Sequence, residues 1–355
     1  MAYTNIDDPS AYFQTALWAG NSSTQTITND GNSDLQPDLV WNKSRTTTNV
    51  HLIQDSTRGA SGGVYYYLQP DGTAAEAVQT DGDGITSLNS DGFSLGYGNS
   101  NSWNSTGKNY VGWQWKANGG TTSSNTDGDI TSTVQVNQDA GFSIVTDSPS
   151  NNTARSIGHG LGVAPQVVIR RARNRVESWR VFHSSAGSTG SLKLNDSSTY
   201  NSSTVLFTGV TSSTFGVGTD FSVNGNYNYV SYCFAEKQGY SKFGSYKGNG
   251  NTNGAFIYTG FKPAFVMVKQ SNTARNWQIF DNKRDGYNVD YMPRLKADTV
   301  DAETASSGAS MDFVSNGFKL RTSQTGANQN GGTYIYMAFA ENPFTTSTGV
   351  PCTAR

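Results

Sequence analysis

The chain has 355 residues, of which 35 % are apolar and 15 % charged, with a formal net charge of −2. That balance excludes a general affinity for nucleic acid or for an anionic membrane, and no stretch approaches the ~20 apolar residues of a membrane-spanning helix. Two cysteines are too few for a disulfide framework.

Abundant Tyr, Phe and Trp set among Asn, Ser, Thr and Gly favour short strands over helices. The opening MAYTNIDDPS has neither the basic nor the apolar region of a secretory signal, so synthesis in a cytoplasm is expected. The first clear strand follows Pro37, and its spacing matters. From Pro37 a β-branched residue falls three on (Val40), a cation six on (Lys43), a ring fourteen on (His51) and a polar acceptor eighteen on (Asp55). Asp55 and Arg58 are expected to organise a turn through an ion pair.

Beyond that turn lie three adjacent tyrosines, Tyr65, Tyr66 and Tyr67, then a segment, Thr73–Val78, with room for one helical turn. An Asp-rich turn follows (Asp81, Asp83), echoed later by Asp127 and Asp129. The spacing resembles the start of a calcium loop, but the later ligands and the bidentate Glu are missing. These four are therefore weak metal candidates, and no metal or other cofactor is expected. Ser90-Asp91-Gly92-Phe93 reads as a tight turn feeding a strand. Trp103 sits in the turn-rich stretch 98–109, and an aromatic strand, Tyr110–Trp115, closes the unit.

Residues 119–141 form a linker whose second half, Ile130–Val136, alternates well enough for an added strand. After it the offsets return without a gap: Pro165 leads to Val168, Arg171, Trp179 and His183. Pro263 leads to Val266, Lys269, Trp277 and Asp281, with Arg284 placed like Arg58. Each later unit also closes on an aromatic strand, Tyr229–Phe234 and Tyr334–Phe339, and the third repeats the turn as Ser315-Asn316-Gly317-Phe318. Ala297–Ala305 again has room for one helical turn. A period of about one hundred residues indicates tandem domains, not a short-period solenoid of roughly 20–50 residues per unit. The expected fold is all-β: three tandem antiparallel β-sandwich, jelly-roll-like domains, at 1–118, 142–238 and 239–345, with a polar tail at 346–355 that could extend against a neighbour.

Four groups of residues carry chemistry. Five arginines (Arg170, Arg171, Arg173, Arg175 and Arg180) fall within eleven residues; a solvated hairpin is the plain reading, an interaction patch for acidic or phosphate groups the sharper one. Trp103, Tyr65, Tyr66 and Tyr67 lie off the shared framework and are candidates for stacking on a sugar. Trp179 and Trp277 read as core. His51 and His183 occupy repeat offsets and read as structural; with His159 isolated, no zinc pattern forms. A Ser-His-Asp triad assembles in space and has no signature here, so no enzyme activity is expected.

The segments Ser90–Gly96, Gly158–Ile169, Tyr232–Gly250, Tyr258–Arg284 and Thr333–Phe344 together resemble a family of tandem-repeat virion proteins of marine tailed bacteriophages. The resemblance spans nearly the whole chain. It implies a non-enzymatic structural protein of the particle surface, in tail fibres, appendages or head decoration, located in the virion. Partners expected are other virion proteins, from the resemblance, copies of itself, since symmetric homo-oligomers are the general rule, and a host surface glycan, from the aromatic candidates above. The alternative is a lectin-like protein whose main task is recognition of that glycan.

Overall fold

In the computed structural model of the chain, the described residues are 3–79, 82–98, 100–284, 288, 292–304 and 311–352. The three Pro-led segments form the strands Leu39–Ser44, Val167–Ala172 and Phe261–Gln270, buried along their whole length. Burial on both faces explains their continuous apolar runs. Each runs antiparallel between the aromatic closing strand of its repeat and the strand that bears the polar acceptor. The registers coincide. Leu39 faces Trp115 on one side and Asp55 on the other; Val167 faces Phe234 and His183; Phe265 faces Phe339 and Asp281. Pro37 and Pro165 precede their strands, whereas Pro263 lies inside its own, at a shift of register. A proline that lacks an N–H is tolerated at such an irregularity.

On the far side of each closing strand pairs the first strand of the repeat: Phe13–Ala19, Phe142–Asp147 or Ser241–Lys247. The resulting large sheets have five, seven and four strands. The linker supplies two of the seven, Ser123–Asn125 and Ser132–Asn137, added at the edge of the second sheet. A three-stranded antiparallel sheet from the same repeat covers one face of each large sheet. The turns expected at Gly92 and Gly317 lie in two of these small sheets. Gly92 has φ of +90°, and a Cβ there would sit 1.9 Å from the carbonyl oxygen of Ile27. At Gly317 the same clash would be 2.0 Å from the Ile257 oxygen. Only glycine fits.

Four cores result. Three are internal to a repeat, and join Val40 and Tyr110 to Phe93, Val168 and Cys233 to Phe215, and Val266 and Tyr336 to Phe318. The fourth is shared. Val111, Trp113 and Trp115, Val230, Tyr232 and Phe234, and Ile335, Met337 and Phe339 turn their side chains into it. The closing strands thus keep the period of two, but with both faces apolar the alternation is muted in the sequence. At the centre Trp115, Phe234 and Phe339 form a triangle, with ring centroids 6.2, 5.8 and 5.6 Å apart. Those distances suit edge-to-face aromatic pairing.

Among the described residues helix is confined to one turn at Thr325–Asn328 and a 3-10 turn at Pro9–Ala11. The helical turns expected at Thr73–Val78 and Ala297–Ala305 are not present in the described residues, of which Ala305 is not one. Both stretches spend their backbone on the neighbouring repeat instead: Glu76 N–H donates to the Arg173 oxygen, and Glu303 N–H to that of Arg45. The tail folds back on its own chain, where Ser347 N–H donates to Asp7 Oδ1 at 2.6 Å.

Candidate functional site

The repeat offsets converge at the seams between the large sheets. Asp55 takes a hydrogen bond from the Tyr232 hydroxyl of the second repeat at 2.7 Å. His183 faces the Tyr336 carbonyl of the third at 3.1 Å, and its Nδ1 accepts from Ser185 N–H, so Nε2 is the donor. Asp281 takes a hydrogen bond from the Trp113 indole of the first at 3.0 Å. Each repeat therefore holds the next, and the third returns to the first. The recurring tryptophans join in: Trp179 Nε1 donates to the Gln69 oxygen at 2.7 Å, and Trp277 Nε1 to that of Lys193 at 2.9 Å. Their aromatic bodies are core, as expected, but their N–H groups stitch repeats together.

The recurring cations are buried in the same layer. Arg171 caps the carbonyls of Thr73 and Ala74 at 2.6 and 2.7 Å. Lys269 caps those of Arg275 at 2.6 Å and Ser197 at 2.9 Å; Lys43 holds the Ser44 oxygen at 2.8 Å. Burial disfavours each charge. It brings Lys43 and Lys269 down to about 8, against the pull of nearby carboxylates, and Arg171 down to about 10, against Glu177. His51 accepts from Trp41 Nε1 at 3.0 Å. Burial and then the Lys43 charge push its imidazole well below the usual range.

The expected turn ion pairs are present, both fully buried: Arg58 with Asp55, and Arg284 with Asp281 at 2.6 Å. Sequence reasoning missed their extensions. Glu76 bridges Arg58 at 3.0 Å to Arg173 of the second repeat at 2.8 Å. Glu303 bridges Arg284 at 3.1 Å to Arg45 of the first at 2.9 Å. Glu76 lies 39 residues after Pro37 and Glu303 lies 40 after Pro263; that near match was the available signal.

The arginine cluster is not one surface patch, which corrects both readings of it. Arg170 is buried against Asp147 through two bonds of 2.7 Å and lies over the Tyr229 ring at 4.2 Å. Arg171 and Arg173 serve the seam. Arg175 stacks on Tyr227 at 4.7 Å beside Glu177, and Arg180 donates to Ser222 Oγ at 2.7 Å. Trp103 also needs correction as a sugar platform: it is 0 % exposed, inside the first repeat's own core. Gly84, in the loop above it, approaches the indole closely. Tyr65 and Tyr67 pack half-buried against that core, and Tyr66 is half-buried beside them.

Asp81 lies outside the described residues. Asp83 is buried and accepts from Ser100 N–H at 3.0 Å. Asp127 and Asp129 accept from Asn125 and Ser156, so both are engaged in turn formation. Among the described residues no group of three or more His, Cys, Asp or Glu is placed to hold a metal. His159, buried, meets the Thr211 oxygen at 3.2 Å, far in sequence from the other histidines. Both cysteines are free; burial pushes the Cys233 thiol up to about 12. No described helix is long and apolar enough to cross a membrane.

Among several cavities, the widest, about 910 Å³, lies between Tyr12 and Lys116 of the first repeat and Val134 and Val136 of the linker. Another, of about 320 Å³, opens at the seam of the third and first repeats, between Phe13, Gln14 and Thr15 on one side and Ala264 and Asn282 on the other. Asp30 and Lys283 pair at its lining, 2.7 Å apart.

A model for a domain of unknown function, DUF7483, matches residues 8–343. The chain belongs to this family. The DUF7483 match spans all three repeats, which share one core besides their internal ones. No curated protein matches the chain.

Proposed function

We propose that the chain is a non-enzymatic structural protein of a bacteriophage virion surface, in a tail fibre, appendage or capsid decoration, that serves assembly and host-surface attachment. In this reading residues 1–118, 142–238 and 239–345 are three copies of one sandwich plan. The observation that carries it is the use made of the polar side chains: Asp55, Asp281, Arg171, Lys269, Glu76 and Glu303 are all spent on the seams. Such a body is built to be rigid. The resemblance of its sequence segments to tandem-repeat virion proteins is what supports that location in this reading. Contact points for neighbours are at hand in Phe256 and Tyr258, 47 % and 53 % exposed on an edge strand, where unpaired backbone and apolar surface favour association.

Imaging of purified particles that carry an epitope-tagged copy tests this. Label at a fixed place on head or tail is the expected result. Tagged protein that stays in the lysate while particles form without it would defeat the reading. A second reading, a carbohydrate-recognition protein, is favoured by the cavity at the third seam.

A further inference from the structure

We propose that the cavity between the third and first repeats binds one neutral pyranose ring, which rests on the carbohydrate-recognition reading and names its site. The cavity lies where the repeat is broken on both walls. Register with the closing strands makes Thr15, opposite Trp113, equivalent to Ile144, opposite Tyr232, and to Phe243, opposite Met337. Ile144 and Phe243 fill the shared core. Thr15 is smaller, 5 % exposed, and its Oγ1 has no hydrogen-bond partner among the described residues. An orphaned buried hydroxyl is costly and calls for a partner.

The facing wall departs in the same sense. Ala264 follows Pro263 as Asp38 follows Pro37. Asp38 is fully buried and takes hydrogen bonds from the backbone of Ala117, Gly119 and Gly120. Ala264 leaves that space open. Two small residues thus stand where the other repeats place large or fully bonded ones.

The rest of the lining selects the ligand. Gln14 donates to the oxygens of Ser10 and Ser33 at 2.9 and 2.8 Å and accepts from Gly31 N–H at 2.9 Å, which fixes the loop at the mouth. A Cβ on Gly31 would sit 2.6 Å from the Gln14 amide, so a larger residue there would displace that side chain. Asp30 and Lys283 neutralise each other, and Glu341, also in the lining, pairs with Lys262 at 3.0 Å, which removes the reason for an ionic ligand. Phe13, Ala264 and Ala340 give an apolar floor, with hydroxyl and amide groups around it. A pyranose presents that pattern, an apolar ring face rimmed by hydroxyls. The volume, about 320 Å³, is near the lower end of small-molecule pockets, roughly 300–1,000 Å³, so one ring fits better than a chain.

Saturation-transfer NMR and calorimetry on the intact chain, with the methyl glycosides of glucose, galactose, mannose and N-acetylglucosamine, provide the test. At least one should bind at a single site. Thr15→Ile, which restores the second repeat's residue, should weaken it about tenfold or more, and Thr15→Ser should keep it. Asn32→Trp, on the exposed rim, should block the mouth without touching the core, and it decides the matter alone if Thr15→Ile fails to fold. Sugar binding that both variants leave unchanged overturns this site while the recognition reading stands. No binding by any of the four overturns this site, and a glycan array that is also blank overturns the recognition reading with it.

Discussion

Trp113 of the first repeat donates its indole N–H to Asp281 of the third at 3.0 Å, and the same carboxylate oxygen holds Arg284 at 2.6 Å. One buried oxygen therefore closes both a turn and a seam. Removing the carboxylate in Asp281→Ala leaves a guanidinium and an indole N–H buried without it. Breaking a buried pair from one side costs about 3–5 kcal/mol. Chemical denaturation should show a lower midpoint by that amount with an unchanged slope. A loss below about 1 kcal/mol, the level of an exposed ion pair, would show that the seam does not depend on this oxygen.

Lys269 sets a pH dependence. Burial holds it at about 8, against an ordinary value of 10.5. Between those values the unfolded chain binds the extra proton, so stability rises with pH there, and the gain is lost as pH falls through about 8. The full span is on the order of 3 kcal/mol. Cys233 and Tyr232 act in the opposite sense, because burial raises both and their unfolded forms ionise first. The comparison to make is between wild type and Lys269→Met. Their difference in unfolding free energy should grow in favour of wild type from pH 8 to pH 10; a constant difference would refute the assignment.

The two thiols should report separately. Cys233 is buried, with its thiol at about 12, while Cys352 is half-buried near the tail. The thiolate is the reactive form. Ellman's reagent should titrate one thiol in the native protein and the second only on unfolding. Two thiols reacting at one rate would place Cys233 outside the second repeat's core.

Phe339 touches rings from all three repeats, with Trp115 at 5.6 Å, Phe234 at 5.8 Å and Phe243 at 5.7 Å among them. Truncation in Phe339→Ala should cost about 3–5 kcal/mol. Because the core is shared, the loss should appear as one displaced transition, coincident by fluorescence and by far-UV circular dichroism. A third of the signal melting early, with the rest unmoved, would mean that the repeats unfold independently.

Much of the framework was legible because local chemistry repeats. The Pro-led strands, the Gly92 and Gly317 turns and the Asp55–Arg58 and Asp281–Arg284 pairs involve neighbours in sequence. What was not legible is what those groups do across repeats. Nothing local shows that Trp113 faces Asp281, 168 residues away. The five arginines look like one patch in the sequence, yet strand alternation sends Arg170 to one face and Arg171 to the other. Trp103, in a polar, turn-rich stretch, read as a surface ring for sugar stacking; the loop carries it inward, close to Gly84.

The ring of seams is closed by a single polypeptide, not by three identical subunits. In a symmetric trimer every substitution is made in triplicate, so a gap opened at one boundary opens at all of them. Here the boundary that uses Tyr232 and Asp55, the one that uses His183, and the one that uses Trp113 and Asp281 vary independently. Covalent linkage thus leaves each boundary open to change while its two counterparts keep their own contacts.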